Sequence, residues 1–109
     1  MDNFRSGDVL LLAFPFSDGL GAKRRPAVVL LDVGDEDLVA ARITSQPARA
    51  KADVELLDWK KAGLQTPSVV RLHKLATIRK QRIDRRLGSL TAGDWEKIRS
   101  KMKELWSLI

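Results

Sequence analysis

Three short apolar runs follow one another in the first 44 residues. Asp8 to Phe14, DVLLLAF, is almost continuously hydrophobic and is closed by Pro15 and the turn-rich SDGLGA. Pro26 to Asp32, PAVVLLD, leads into the turn GDED, and Leu38 to Thr44, LVAARIT, ends at SQP. Runs of this length bounded by Gly, Pro and Asp read as buried strands. With no helical segment between them they predict an antiparallel meander. Asp53 to Leu57, DVELL, alternates weakly and adds an edge strand, and DWKKAGL reads as one helical turn stopped by Gly63. PSVVRL and KLATI read as two more strands. Many short strands at regular spacing predict a mainly β fold, a small and strongly bent sheet or barrel.

The pattern changes period at TAGDWEKIRSKMKELWSLI. Trp95, Ile98, Met102, Leu105, Trp106 and Ile109 recur mostly at three- and four-residue steps, giving one apolar stripe on a C-terminal amphipathic helix. Thr91 and Asp94 approximate a capping box, because a hydroxyl accepts from a first-turn amide and a carboxylate suits the positive helix end. The stripe is expected to pack on the sheet. Without repeats, low-complexity tracts or linkers, a single domain over residues 1–109 is expected.

Composition narrows the class. An apolar fraction of 44% over 109 residues suffices for a core without a covalent staple, and the absence of cysteine excludes a disulfide frame or a thiolate metal site. MDNFRSGDV carries an acid where a signal peptide needs base, and no run approaches the roughly 18 apolar residues of a membrane span. A cytoplasmic protein without membrane association is expected. The net charge of +6 points to a polyanionic partner.

The cations concentrate at KRRPAVVLL, Lys23 to Leu31. Pro26 fixes its own φ and pushes Arg25 toward an extended backbone, so Arg25 projects from a defined strand start while Lys23 and Arg24 sit on the loop before it. Its guanidinium offers forked donors that match two phosphate oxygens. A solvated charge run protecting a strand edge is the plainer reading of the same triplet. At ITSQP, Thr44, Ser45 and Gln46 cluster at a strand end. They can donate to a phosphoryl oxygen or bond local backbone. In VVRLHK, alternation puts Arg71 and His73 on one face, where Arg71 could clamp a phosphate and His73 could move a proton near neutral pH. His73 is the only histidine, which excludes a two-histidine mechanism within one subunit. The acidic DVGDED lacks metal-motif spacing and reads as a solvated hairpin turn. No phosphate-binding glycine loop or Gly-x-Ser-x-Gly is present, and neither a metal nor a cofactor is expected.

Taken in order, GDVLLLAFPF, KRRPAVVLL, ARITSQ, PSVVRLHKL and RRLGSLTAGDW resemble the PemK/MazF family of toxins from toxin-antitoxin modules, over nearly the whole chain from Gly7. The resemblance implies an SH3-like barrel of the CcdB/PemK type with helices. It also implies a homodimer whose interface forms a groove for single-stranded RNA, and a metal-independent endoribonuclease. Its catalytic residues would be Arg25 and Thr44, with Arg71 added as in some members. Lys23, Arg24, Ser45, Gln46, His73 and Lys74 would contact the RNA. Attack of the ribose 2′-oxygen on the adjacent phosphorus would leave a 2′,3′-cyclic phosphate and a 5′-hydroxyl. A cognate antitoxin with an acidic segment would cover the same groove.

This chain departs from the family's pattern in two places. Gly21-Ala22 and His73 stand where members often carry acidic residues, and the loop FPFSDGLGAKR, expected to gate the groove, differs as well. Two other readings share the fold. One is a non-enzymatic toxin that binds DNA gyrase through a tryptophan-bearing helix end, for which KELWSLI is the candidate. The other is a catalytically silent nucleic-acid or antitoxin-binding module.

Overall fold

The apolar runs become strands sealed on both faces. The structure is a computed structural model and describes residues 3–16 and 18–109; Ser17, in the expected gating loop, lies outside them, as do Met1 and Asp2. Six strands form one antiparallel sheet: β1 (Asp8–Pro15), β2 (Ala22–Leu31), β3 (Asp37–Thr44), β4 (Asp53–Glu55), β5 (Val69–Arg79) and β6 (Ile83–Ser89). A 3-10 turn at Lys80–Arg82 links β5 to β6, and helix α1 (Ala92–Trp106) follows. The strand order is β4-β5-β3-β2-β1-β6. The mainly β architecture with a C-terminal helix is as expected, but the sheet does not close. β4, at one edge, is three residues long and pairs only with β5, and β6 forms the other edge. Among the described residues no helix is long and apolar enough to cross a membrane.

Alternation sends neighbouring side chains into two different cores. Val9, Val28, Ala41, Ile43, Val70 and Leu72 gather on the face that α1 covers with Ile98, while Leu10, Leu12, Ala27, Val29, Leu38 and Ala40 gather in a second cluster. Strands buried on both faces read as continuous apolar runs rather than as alternation.

Several elements differ from the sequence expectation. β2 begins at Ala22, so Lys23 and Arg24 are strand residues rather than loop residues. They pair with Phe14 and Ala13 of β1, and this ladder extends the strand ahead of Pro26. Pairing of β2 with β3 starts at Ala27, so the missing Pro26 donor falls beyond the end of that ladder. The two expected strands around His73 are one strand, β5, with a large irregularity: Arg71 pairs with Arg42, but the next β3 residue, Ala41, pairs with Leu75. Leu72 turns its N–H to the Ala52 carbonyl and buries its side chain in the first core. β6 carries no apolar alternation and was not read from sequence.

The helix cap forms as expected and reaches further. Thr91 Oγ1 accepts from the Asp94 N–H at 3.4 Å, and the Asp94 carboxylate accepts from the N–H groups of Leu57 and Asp58 at 3.0 and 2.8 Å. One buried carboxylate thereby ties α1 to the segment after β4. Trp95, Ile98, Met102 and Leu105 pack on the first core, but the stripe stops there. Trp106 lies about 100° round the axis from Leu105 and Ile109 follows the helix end, leaving the two 62% and 90% exposed. The turn at DWKKAGL carries a helical bond from the Ala62 N–H to the Asp58 carbonyl and stops at Gly63, whose φ is 88°. A Cβ at Gly63 would collide with the Leu87 carbonyl oxygen, so this turn can rest against β6 only with glycine there.

The acidic hairpin is partly a buried anchor. Lys80 Nζ lies 2.8 Å from Asp32 Oδ1, with the two side chains 2% and 1% exposed, and also donates to Asn3 Oδ1 at 2.9 Å. Asp32 accepts as well from the N–H groups of Phe4 and Gly34, so the expected solvated turn begins only after it. Burial alone would raise the Asp32 pKa, but the hydrogen bonds from Lys80, Phe4 and Gly34 and the Lys80 charge outweigh it and hold the carboxyl below 3.8. The unfolded chain therefore binds more protons in that acid window. Stability from this group is present above pH 3.8 and is lost as the pH falls through the lower folded value. Lys80→Met leaves the carboxylate buried without its counter-charge and is expected to cost about 3–5 kcal/mol in urea unfolding at pH 7. Asp32→Asn is expected to remove part of the acid-dependent loss below pH 3.8.

Candidate nucleic-acid interface

β2 and β3 hold the site in register. Ala27 pairs with Arg42 and Val28 with Ala41, and the same register carried two residues on sets Arg25 opposite Thr44. Alternation then places Arg25, Arg42 and Thr44 on one face. Ala27 and Ala40 on that face are sealed in the second core, so the polar side chains emerge where this core ends.

They line a cleft of about 540 Å³. Of the residues expected from sequence, Lys23, Arg24, Arg25, Thr44, Ser45 and Gln46 all border it. The wall opposite comes from Gly63 to Thr66 and from Leu87, held there by the close approach at Gly63. Lys23, Arg24, Arg25, Arg42 and Arg85 give the lining five cations, and no carboxylate joins them among the described residues. A second groove of similar volume, between β4 and α1, mixes Asp53, Glu55, Glu96 and Glu104 with Lys97 and Lys101. Its mixed charge makes it the poorer seat for a polyanion.

The polar groups of the cleft are set for donation. Thr44 Oγ1 accepts from the Gln46 N–H at 3.2 Å, which uses an acceptor position and leaves the hydroxyl proton to give. The local backbone bond and the phosphate donor are thus compatible. Arg24 is engaged at the rim, its Nε 2.8 Å from Asp84 Oδ2. Of the expected gating loop, Lys23 and Arg24 border the cleft, and none of its described residues from Pro15 to Gly21 does.

Arg71, His73 and Lys74 do not line the cleft. β5 lies one strand further from β2 than β3 does: Arg71 stands between Arg42 of β3 and Asp53 of β4, and its Nη1 donates to Asp53 Oδ2 at 3.2 Å, with the side chains 6% and 0% exposed. Its Nη2 lies 3.4 Å from His73 Nε2, so the two share a face as alternation predicted. Burial would raise the Asp53 pKa, but the N–H groups of Arg49 and Ala50 and the charges of Arg71 and His73 hold it down. His73 moves below 6.5 through partial burial and then the neighbouring cations Arg71 and Lys74, with Asp53 opposing. The ring is therefore mainly neutral at pH 7.

Arg42 and Arg85 were missed from sequence. An arginine in the middle of the apolar run LVAARIT was the available signal for Arg42; β6, which carries Arg85, gave none. The Nε of Arg42 is shielded from water and has no hydrogen-bond partner among the described residues. No group of three or more His, Cys, Asp or Glu side chains converges as a metal site among the described residues.

A proton titration of the His73 ring by NMR is expected to give a midpoint below 6.5, and Lys74→Gln is expected to move it upward. A midpoint at or above 6.5 in the native protein would contradict the placement of His73 beside the two cations.

The chain matches the family model of PemK-like, MazF-like toxins of type II toxin-antitoxin systems over residues 5–106. Solved structures similar to it include an endoribonuclease in complex with its cognate antitoxin from a mycobacterial species. That structure has a TM-score of 0.73 at 19% identity, over 95% of this chain and 95% of that one. The Mycobacterium tuberculosis toxin MazF-mt6 superposes with a TM-score of 0.71 at 20% identity, covering 90% and 96% of the two chains. The MazE-MazF structure (Form-II) from Deinococcus radiodurans gives 0.72 at 21% identity, covering 97% of each. At such identities the structural likeness speaks for the fold alone. No curated protein sequence matches the chain.

Proposed function

The chain belongs to the family of PemK-like, MazF-like toxins of type II toxin-antitoxin systems, and on that premise we propose that it is an endoribonuclease that cuts single-stranded RNA without a metal ion. The observation that carries this reading is that Arg25 and Thr44 line one cleft whose charged residues, among those described, are all cations. A polyanionic strand fits such a cleft, and its phosphates would meet forked and hydroxyl donors already held by strand ends.

The chemistry asks for donors more than for a strong base. The ribose 2′-oxygen attacks phosphorus and gives up its proton, the bond from phosphorus to the 5′-oxygen breaks, and that oxygen leaves with a proton. The products are a 2′,3′-cyclic phosphate and a 5′-hydroxyl. Negative charge grows on the nonbridging oxygens as the new bond forms, and donors aimed there lower the barrier. Arg25 binds the phosphate, and Thr44 donates its hydroxyl proton to a nonbridging oxygen. Arg71 adds charge from behind the cleft, with Asp53 fixing its position. Lys23, Arg24, Ser45 and Gln46 hold the strand at the rim, and Lys74 extends the basic surface beyond it, with the neutral His73 ring beside it as a hydrogen-bonding contact for the RNA. A guanidinium, with a pKa above about 12, is a poor base.

The toxin acts as a homodimer in the cytoplasm, where RNA is its substrate. An antitoxin segment rich in acids would be drawn to the same lining, as the mycobacterial neighbour solved with its antitoxin suggests by analogy. One observation favours the non-enzymatic reading: Trp106, Leu108 and Ile109 stay exposed at the end of α1, where a partner such as DNA gyrase could take them.

Incubating the purified protein with mixed-sequence RNA in EDTA, and analysing the product ends, tests the reading. The native protein is expected to leave cyclic phosphate and 5′-hydroxyl ends, while Arg25→Ala and Thr44→Val keep their circular dichroism and lose about 100-fold or more in rate. Uncut RNA from folded native protein would overturn the enzymatic reading. So would full activity in Arg25→Ala.

A further inference from the structure

We propose that Arg42 is a second arginine of the cleft's phosphate site, its unpartnered Nε–H supplying a donor to the phosphate that Arg25 and Thr44 hold. This rests on the reading of the cleft as an RNA site and adds a residue to it. Arg42 borders the cleft and lies two residues before Thr44 on the same face of β3. It is the diagonal neighbour of Arg25 across the β2–β3 ladder, about 7–8 Å away in backbone terms. Two arginine side chains at that separation can converge on one anion.

The bonding of Arg42 is incomplete in a way a structural arginine would not be. Its Nε–H is sealed from water and meets no acceptor among the described residues. Buried donors in native folds nearly always find a partner, and an orphan at the wall of a cleft is satisfied when a ligand brings the oxygen. The Nε edge of a guanidinium presents two parallel N–H groups, the arrangement that suits two oxygens of one phosphate.

The surrounding charges point the same way. Burial first, and then the charges of Arg25, Arg71 and Arg49, press the Arg42 pKa below its ordinary value. The nearby carboxylate, Asp53, lies on the far side of Arg71, which pairs in register with Arg42 on one flank and with Asp53 on the other. Asp53 Oδ2 is taken by Arg71 and by the N–H groups of Arg49 and Ala50. Its Oδ1 is buried without a partner, as the Arg42 Nε is, and Arg71 stands between the two in the strand order, so among the described residues no acceptor answers the Arg42 Nε–H.

The test measures binding of a short single-stranded 2′-O-methyl RNA of mixed sequence, which lacks the attacking hydroxyl, across a series of salt concentrations. Arg42→Met is expected to weaken binding about tenfold or more and to flatten the logarithmic salt slope by about 0.7. Its thermal midpoint should stay unchanged or rise, since the orphan donor is gone. Arg42→Lys is expected to restore the slope but only part of the affinity, because an ammonium cannot fork. Native affinity and slope in Arg42→Met would overturn the proposal. So would a loss of binding matched by a loss of stability, or native protein that does not bind the RNA. Cleavage of ordinary RNA is scored separately. Native protein that binds the methylated strand through Arg42 yet cuts nothing would refute the ribonuclease reading while sustaining this one.

Discussion

Val28 and Ala41 face the helix-covered core while their strand neighbours Val29 and Ala40 face the other, and all four are closed to water. A sheet sealed on both sides at its centre has no room there for a polar side chain without a partner. Polar chemistry is therefore driven to the strand ends, and β2 and β3 place theirs side by side because they are adjacent and antiparallel. Arg25 and Thr44 meet as a consequence of register, with sequence separation playing no part. Arg42, one alternation deeper than Thr44, sits at the boundary of the sealed region, where its Nε is shielded from water and lacks a partner among the described residues.

How much of this can be read in the chain follows from the same constraint. Double burial makes β1, β2 and β3 legible as apolar runs, and the proline at position 26 marks where the second run meets its cations. Thr44, Ser45 and Gln46 are visible because they break an apolar run. β6 is not legible, since it lies at an edge with much of IDRRLGS exposed, and its pairing to β1 is a long-range fact. The irregularity of β5 is equally silent. Simple alternation rightly joined Arg71 to His73, but only the pairing of β4 with β5 sets Asp53 beside Arg71 and engages it away from the cleft. Asp94 signalled a cap by local spacing, while its larger role depends on Leu57 and Asp58, far away in sequence.

The charge distribution separates structural cations from available ones. Lys80 and Arg71 are buried against Asp32 and Asp53, and each carboxylate also collects backbone N–H groups. Such clusters tolerate the loss of neither member, because the survivor would be stranded out of water. They fix the N-terminal segment to the β5–β6 turn and β4 to β5, and they consume acids that would otherwise neutralise the cleft. The net charge of +6 is in this sense local: the buried Asp32 and Asp53 each face a cation of their own, and the positive field remains where β2, β3 and β6 border open space.

A site built from donors alone has a definite chemical character. It stabilises the extra charge of a pentacoordinate phosphorus without discriminating strongly between one anion and another. On the proposed reading, the feature that makes the cleft reactive toward RNA also makes it vulnerable to an acidic peptide, since both present oxygens to the same guanidinium and hydroxyl groups. What distinguishes them is the 2′-hydroxyl, which only RNA can place in line with the phosphate. Inhibition by an acidic partner then needs no second site and no conformational relay. Occupation of Arg25, Arg42 and Thr44 by carboxylates would remove every donor the reaction draws on in one step.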